Sequence, residues 1–150
     1  MSTTARLPYF SLAPQAYKGM IDLSAAIKVG PLSANIIDLV LLRVSQINGC
    51  AFCVDMHWQD LIKLDETPRR LNSLASWEES PFFDAREKAI LRWTDLVTRT
   101  AGQAASDEEY AQLRQHLSEA EVAQLGFAIS CMSAWNRLAI PFRQPIVVKG

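Results

Sequence analysis

Three side chains that can do chemistry fall within two turns of one predicted helix, in the run Cys50-Ala-Phe-Cys53-Val-Asp-Met-His57. The two cysteines are three residues apart, and His57 follows Cys53 by four. Both spacings put side chains on one helical face, so the sulfurs and the imidazole should form a single cluster. A thiolate attacks peroxides and disulfides, and a nearby imidazole can take the proton that the thiol loses. The spacing therefore predicts thiol-based redox chemistry.

The place of the cysteine pair in its helix favours the thiolate form. Cys50 directly follows Asn48-Gly49, a pair typical of a left-handed helix end. In the first turn of the next helix, free N–H groups and the helix dipole lower a thiol pKa below about 8.5. Cys50 lies nearer the terminus, whereas Cys53 is in register with His57. We expect Cys53 to attack and Cys50 to resolve, because a base within hydrogen-bond distance outweighs a dipole worth about 0.3–1 kcal/mol.

Asp38 is the candidate for the group that orients this histidine. It is an acid within the apolar stretch 36–42, and a buried carboxylate is costly unless it finds a partner. Arg43 projects from another part of the predicted helix surface, so it offers no local ion pair. If the helices on either side of Asn48-Gly49 form a hairpin, Asp38 can point at His57. The alternative is that Asp38 only forms an ion pair with a basic residue of another helix.

The elements that must position these residues are all predicted to be helices. Apolar residues recur at helical spacing, and the sequence shows no strand pattern. Three predicted helices run over 32–47, 50–64 and 67–74, and three more begin at the capping pairs Asp84–Glu87, Ser106–Glu109 and Ser118–Glu121. The last should end before Pro141. We therefore expect one all-α domain over residues 1–150, a helical bundle with the CxxC motif at the start of a central helix.

Composition excludes several classes of protein. The chain is 49% hydrophobic and 21% charged with a net charge of −1, which is typical of a globular domain and not of a nucleic-acid binder. No apolar segment is free of charge over the length of a membrane span, and no secretory signal is apparent. The three cysteines are an odd number, which argues against a disulfide framework. We expect a cytoplasmic protein in which Cys131 is a packed core residue that stays reduced.

The stretch from Asp38 to Trp58 resembles the core motif of the alkylhydroperoxidase AhpD-like branch of the carboxymuconolactone decarboxylase family. The later run Ala134-Trp-Asn-Arg-Leu-Ala139 resembles the C-terminal helix of that family. The resemblance implies an all-helical fold, assembly into trimers or hexamers, and reduction of hydroperoxides by the paired cysteines. It also implies a proton relay of a glutamate, a histidine and a water.

Carried over by position, Cys50, Cys53 and His57 match the family motif, and the glutamate falls on Asp38. An aspartate is shorter by one methylene, which withdraws the carboxylate by roughly 1.5 Å. Either the backbone lies closer, a water fills the gap, or the enzyme is slow. We predict an alkylhydroperoxidase-like peroxidase that uses a hydroperoxide and an unidentified thiol or dithiol reductant, with no cofactor and no metal.

Four other interpretations stay open from the sequence. The protein could be a disulfide or adaptor reductase with the same fold, or a lactone decarboxylase, although that branch needs no cysteine pair. The cysteines could be two small buried apolar residues. They could also bind a metal together with His57 and a carboxylate. Structural zinc sites usually draw a second ligand pair from a distant segment, and His116 with Cys131 offers no matching spacing.

Overall fold

The fold was analysed in a computed structural model that describes residues 4–99 and 105–147. Within these ranges the chain forms α-helices and no strand, which confirms the predicted all-α class. The helices are α1 (Tyr9–Leu12), α2 (Pro14–Ala26), α3 (Ala34–Asn48), α4 (Ala51–Lys63), α5 (Pro68–Asn72), α6 (Ala85–Thr98), α7 (Asp107–Arg114) and α8 (Glu119–Ala139), with a short 3₁₀ turn at Ser73–Ser76. None of the helices in these ranges is long and apolar enough to cross a membrane.

Helix α3 is the centre of the bundle. It packs against α4, α6 and α8, and every residue from Ile36 to Ser45 is buried. The sequence predicts this burial because the segment is apolar on nearly every side, and such a helix needs neighbours all round. One part of the apolar core gathers around α3 and α8, and a second joins α3 to α4, α5 and α6. Asp38 and Arg43 are therefore buried, because the apolar residues on either side of them in α3 pack inside the bundle.

A tight turn joins α3 to α4 and sets the start of the helix that carries the cysteines. Gly49 has a φ of 74°, the left-handed conformation that favours glycine. The N–H of Cys50 donates to the carbonyl of Ser45 at 3.0 Å, which closes the end of α3. Cys50 itself is the N-cap residue of α4. The structure confirms the helix end predicted at Asn48-Gly49 and the helix start predicted near Cys50.

The capping signals place most of the remaining helices. Asp84 and Ser118 form complete capping boxes with Glu87 and Glu121, and the Ser106 side chain accepts a hydrogen bond from the N–H of Glu109. The predicted helix at 67–74 is shorter in the structure: α5 ends at Asn72 and a 3₁₀ turn follows. Helices α1 and α2 lie outside the helices predicted from the sequence. Helix α2 packs against α8, close to the cysteine-bearing end of α4.

Candidate functional site

The cysteine pair lies at the first turn of α4. Cys50 and Cys53 are joined by a disulfide, with their Cα atoms 5.3 Å apart, and each residue is 2% exposed. The N–H of Cys53 donates to the Sγ atom of Cys50 at 3.3 Å. Cys50 thus receives the amide hydrogen bond of the helix terminus, as its N-cap position predicts. Cys53 lies one turn further along and lines a cavity, which Cys50 does not.

His57 follows Cys53 by one helical turn and is buried, with both ring nitrogens facing other side chains. Its Nδ1 atom lies 3.4 Å from Asp38 Oδ1, without a well-formed hydrogen bond. Its Nε2 atom lies 3.1 Å from the sulfur of Met132 on α8. The hairpin of α3 and α4 therefore brings Asp38 and His57 together as the sequence predicts, and α8 adds a contact that the sequence does not predict.

Asp38 also has a cationic partner from outside the motif. The ammonium group of Lys28 lies 3.1 Å from Oδ1 and 3.3 Å from Oδ2 of the carboxylate. Burial alone would raise the pKa of Asp38, but the neighbouring His57 imidazole and the Lys28 ammonium outweigh it, so the pKa is lowered. Asp38 thus lies beside His57 and also pairs with a basic residue beyond the motif.

A cavity of about 360 Å³ opens onto Cys53 and His57. Its lining is mostly apolar and unusually rich in rings. The rings come from α1, α2, α4 and α8: Tyr9, Phe10, Tyr17, Phe52 and Trp135. Its polar lining comes from His57, Lys28, Asp60, Ser24 and Gln144. Such a chamber suits an apolar or aromatic molecule whose reactive group is directed at Cys53.

The C-terminal motif 134–139 ties α8 to the helices that carry the site. The indole N–H of Trp135 donates to Ser24 Oγ at 2.8 Å, which fastens α8 to α2. Buried Asn136 accepts a hydrogen bond from the Asn48 side-chain amide at 3.0 Å, directly before the Gly49 turn. The neighbouring Arg137 is exposed and donates to a carbonyl of its own helix. Asn136 is thus the member of this motif that steadies the end of α3.

The third cysteine is unpaired. Cys131 is 1% exposed, and its sulfur lies 3.6 Å from Ser24 Oγ. Burial raises the pKa of its thiol, which leaves less of the reactive thiolate. The position agrees with a packed cysteine, although Cys131 also lines the cavity.

Within the described residues, Asp38, His57 and Asp60 form the one group whose ligand atoms lie close enough to share a metal ion, within 4.8 Å of one another. Both carboxylates already have ammonium partners, since Lys28 pairs with Asp38 and Lys63 pairs with Asp60 at 2.8 Å. A cation there would have to displace these lysines. The cysteine ligands considered from the sequence are joined to each other, and metal ligation needs the free thiolate.

Some residues of the site could not be found from the sequence. Lys28, Met132 and Trp135 lie far along the chain from the cysteine motif, and only the packing of α2 and α8 brings them to it. The one available signal was the resemblance of 134–139 to a family helix, which marked the region but not the contacts.

Comparison with known proteins identifies the family. Residues 14–96, more than half of the chain, match the profile of the carboxymuconolactone decarboxylase family. The chain belongs to this family. It is 36% identical over 135 residues to the uncharacterized protein YdfG of Bacillus subtilis strain 168, which covers 90% of this chain and 92% of that one.

Solved structures place the chain in the AhpD-like branch of the family. A crystal structure from Agrobacterium tumefaciens, of a protein of unknown function described as a candidate antioxidant defence protein AhpD, has a TM-score of 0.93 and 36% identity, and covers 97% of this chain and 100% of that chain. The debrominase Bmp8, solved in complex with 2,3,4-tribromopyrrole, has a TM-score of 0.83 at 14% identity, and covers 93% and 74%. The second likeness is one of fold alone.

Proposed function

We propose that the protein is a thiol-dependent peroxidase that reduces organic hydroperoxides. The observation that carries the proposal is that a disulfide-forming cysteine and a histidine backed by a carboxylate line one apolar cavity. Each of these features alone is compatible with other functions. Together they supply a nucleophile, a base, a group that orients the base, and a chamber for the substrate.

The reaction begins in the reduced protein. The Cys53 thiol gives its proton to His57, and the thiolate attacks the terminal oxygen of the hydroperoxide. The O–O bond breaks, Cys53 becomes a sulfenic acid, and the alkoxide takes the proton from His57 and leaves as an alcohol. The Cys50 thiol then attacks the sulfenic sulfur, forming the disulfide and releasing water. Two thiols thus lose two electrons, which the peroxide bond gains, and a dithiol reductant restores both thiols.

The geometry supports Cys53 as the attacking residue. Cys53 lines the cavity and precedes His57 by one turn, whereas Cys50 caps the helix outside the cavity lining. Burial also favours a small substrate over a protein disulfide, because Cys50 and Cys53 are each only 2% exposed. A macromolecular disulfide would have to pass through a cavity of about 360 Å³. This favours a peroxidase over an adaptor reductase.

A thiol titration tests the proposal. Reduced protein is exposed to one equivalent of an organic hydroperoxide, thiols are counted before and after, and metal content is measured on the same sample. We expect the loss of two thiols without bound metal. Cys131→Ser is the matched control and should still lose two, whereas Cys53→Ser should form no internal disulfide. Bound zinc without thiol loss would instead indicate a metal site, and unchanged thiols in a metal-free sample would contradict any redox function.

Reductive dehalogenation is a second candidate, favoured by the ring-rich cavity wall. In that reaction the Cys53 thiolate would take the halogen from an aryl halide, and the ring carbon would gain a proton. Cys50 would then displace halide to form the disulfide. The electron balance equals that of peroxide reduction, with an aryl halide in place of the hydroperoxide. A brominated pyrrole offered to the reduced protein separates the two candidates, since bromide release at a rate above that of hydroperoxide consumption would favour the dehalogenase.

A further inference from the structure

The sulfur of Met132 lies against the imidazole that we assign as the base. Its Sδ atom is 3.1 Å from His57 Nε2. Met132 belongs to α8, is 2% exposed, and lines the same cavity as Cys53. A molecule that reaches Cys53 through this cavity therefore also meets the Met132 thioether, besides Met56 and the Cys131 thiol.

Both ring nitrogens of His57 face groups that only accept hydrogen bonds. Asp38 Oδ1 lies 3.4 Å from Nδ1, and a thioether sulfur has lone pairs but no hydrogen to donate. A thioether is a weak acceptor, so it holds the Nε2 side of the ring only weakly. A stronger acceptor at the same place would hold an Nε2 hydrogen and keep the ring there.

We propose that Met132 is an oxidation site of this cavity, converted to the sulfoxide by an organic hydroperoxide once Cys50 and Cys53 are joined. This inference rests on the proposed function, which brings the hydroperoxide into the cavity. In the disulfide state neither cysteine is a nucleophile, and Met132 is the reduced sulfur that contacts the catalytic base. Its oxidation switches the site off when reductant is exhausted and hydroperoxide persists.

The oxidation step needs no further reactant. The Met132 sulfur attacks the terminal oxygen of the hydroperoxide, the O–O bond breaks, and a sulfur–oxygen bond forms. The proton on the transferred oxygen passes to the alkoxide, which leaves as an alcohol. Sulfur loses two electrons and the peroxide bond gains them. The sulfoxide oxygen then accepts the Nε2 hydrogen of the protonated His57 ring and holds this nitrogen at Met132.

The other described methionines provide an internal comparison. Met56 is 36% exposed and also lines the cavity, and Met20 is half-buried on α2 and outside the cavity lining. If contact with bulk solvent governed oxidation, Met132 would react last. If the cavity delivers the hydroperoxide, Met132 should react ahead of Met20 in spite of its deeper burial.

The experiment uses the full-length protein in its disulfide form, treated with tert-butyl hydroperoxide without reductant. Peptide mass spectrometry follows the gain of about 16 Da at each methionine, the mass of one oxygen. Excess hydroperoxide is then removed, the disulfide is reduced, and the rate of thiol oxidation is measured with one fresh equivalent. We expect Met132 to be oxidised before Met20, with a loss of rate proportional to the fraction of Met132 sulfoxide.

Two variants test the inference separately from the proposed function. Each is compared with its own untreated sample: Met132→Leu should resist the loss of rate, and Met56→Leu should lose it as the wild type does. Oxidation of Met20 ahead of Met132, or a full loss of rate in Met132→Leu, would overturn the inference while two-thiol loss on the first equivalent still upheld the peroxidase. If the first equivalent removed no thiols, the proposed function would fail by itself.

Discussion

Replacing Asp38 with asparagine is the sharpest test of the relay, because it changes charge and almost nothing else. The carboxylate lies 3.4 Å from His57 Nδ1, on the side of the ring opposite Met132. Asparagine has the same size but no negative charge with which to stabilise the imidazole when it takes the cysteine proton. We expect Asp38→Asn to slow thiol oxidation by about 10- to 100-fold, with the disulfide still able to form.

The magnitude follows from the charge that the substitution removes. A full negative charge 3.4 Å from the protonated ring would be worth about 5 kcal/mol at an effective dielectric constant of about 20. The Lys28 ammonium, 3.1 Å from the same oxygen, is present in both proteins and does not enter the difference directly. The ring carries only part of its positive charge in the transition state, so we expect a loss of about 1.4–2.7 kcal/mol, which corresponds to the 10- to 100-fold range.

The assay is single-turnover thiol oxidation by one equivalent of an organic hydroperoxide, with wild type, Asp38→Asn and Asp38→Glu compared at several pH values. Asp55→Asn is the matched control, since Asp55 lies on α4 and its carboxylate only accepts a hydrogen bond from Gln59. Asp38→Glu should keep most of the rate because it keeps the charge. Equal rates for all four proteins, with His57→Ala still inactive, would refute the relay and leave Asp38 a structural residue.

The pH dependence has a definite sign. The pKa of Asp38 is lowered from 3.8, so its carboxylate stays charged throughout neutral and mildly acidic solution. The contribution of Asp38 to the rate should therefore persist as the pH falls, and disappear only when the pH falls through the lowered value. The ratio of wild-type to Asp38→Asn rates should accordingly be constant above that value.

Four further predictions concern Lys28, Asp95, Gly49 and the oligomeric state. Lys28→Met removes one of the groups that lower the pKa of Asp38. As the solution is made more acidic, the rate of this variant should therefore begin to fall at a higher pH than the rate of the wild type. Asp95→Asn leaves buried Arg43 without its carboxylate, to which it donates twice at 2.7 Å, and should lower the free energy of unfolding by about 3–5 kcal/mol in urea titrations at neutral pH. Because the pKa of Asp95 is also lowered, that difference should shrink as the pH falls through the folded-state value. Gly49→Ala meets no atom within 4 Å but keeps a φ of 74°, so it should cost about 1–2 kcal/mol through backbone strain alone, measured in the same titration. Light scattering at micromolar concentration should give three or six times the chain mass of 16.8 kDa, and a monomer mass would contradict the predicted trimer or hexamer.

Local signals in the sequence were sufficient to predict much of the fold and the core of the site. Gly49 marks the end of α3 because few other residues adopt its backbone conformation, and Asp84 and Ser118 mark helix starts because their side chains satisfy free N–H groups. The relation of Asp38 to His57 was also predictable, since one short turn separates their helices. In each case the signal lies at one helix end or in two helices joined by a short turn.

The rest depends on contacts between helices that are far apart in the chain. Helix α2 begins at Pro14. The residue before it, Ala13, has no side chain that can cap the helix, and α2 has no buried residue, so neither a capping side chain nor a buried stripe indicates it. Contacts with α8 hold it in place: the indole N–H of Trp135 donates to Ser24, and Tyr17 packs edge-on against the same indole. Periodicity shows that a helix has an apolar face but not which helix that face will meet.

The shorter acid at position 38 is explained by the packing around it. An aspartate where the AhpD-like relay has a glutamate predicts a closer backbone, a bridging water or a slow enzyme. The carboxylate is 3.4 Å from the ring it would orient, which leaves no room for a water on the direct line between the two atoms. The shorter acid therefore approaches the ring directly, with no water on that line. Lys28 contacts both oxygens of Asp38 and restrains the shorter side chain in this orientation. Because Asp38→Glu would have to fold its extra methylene into this closed space, that variant should lose thermal stability but keep the charge-dependent rate that Asp38→Asn loses. A purely structural Asp38 would leave the rate unchanged in both variants.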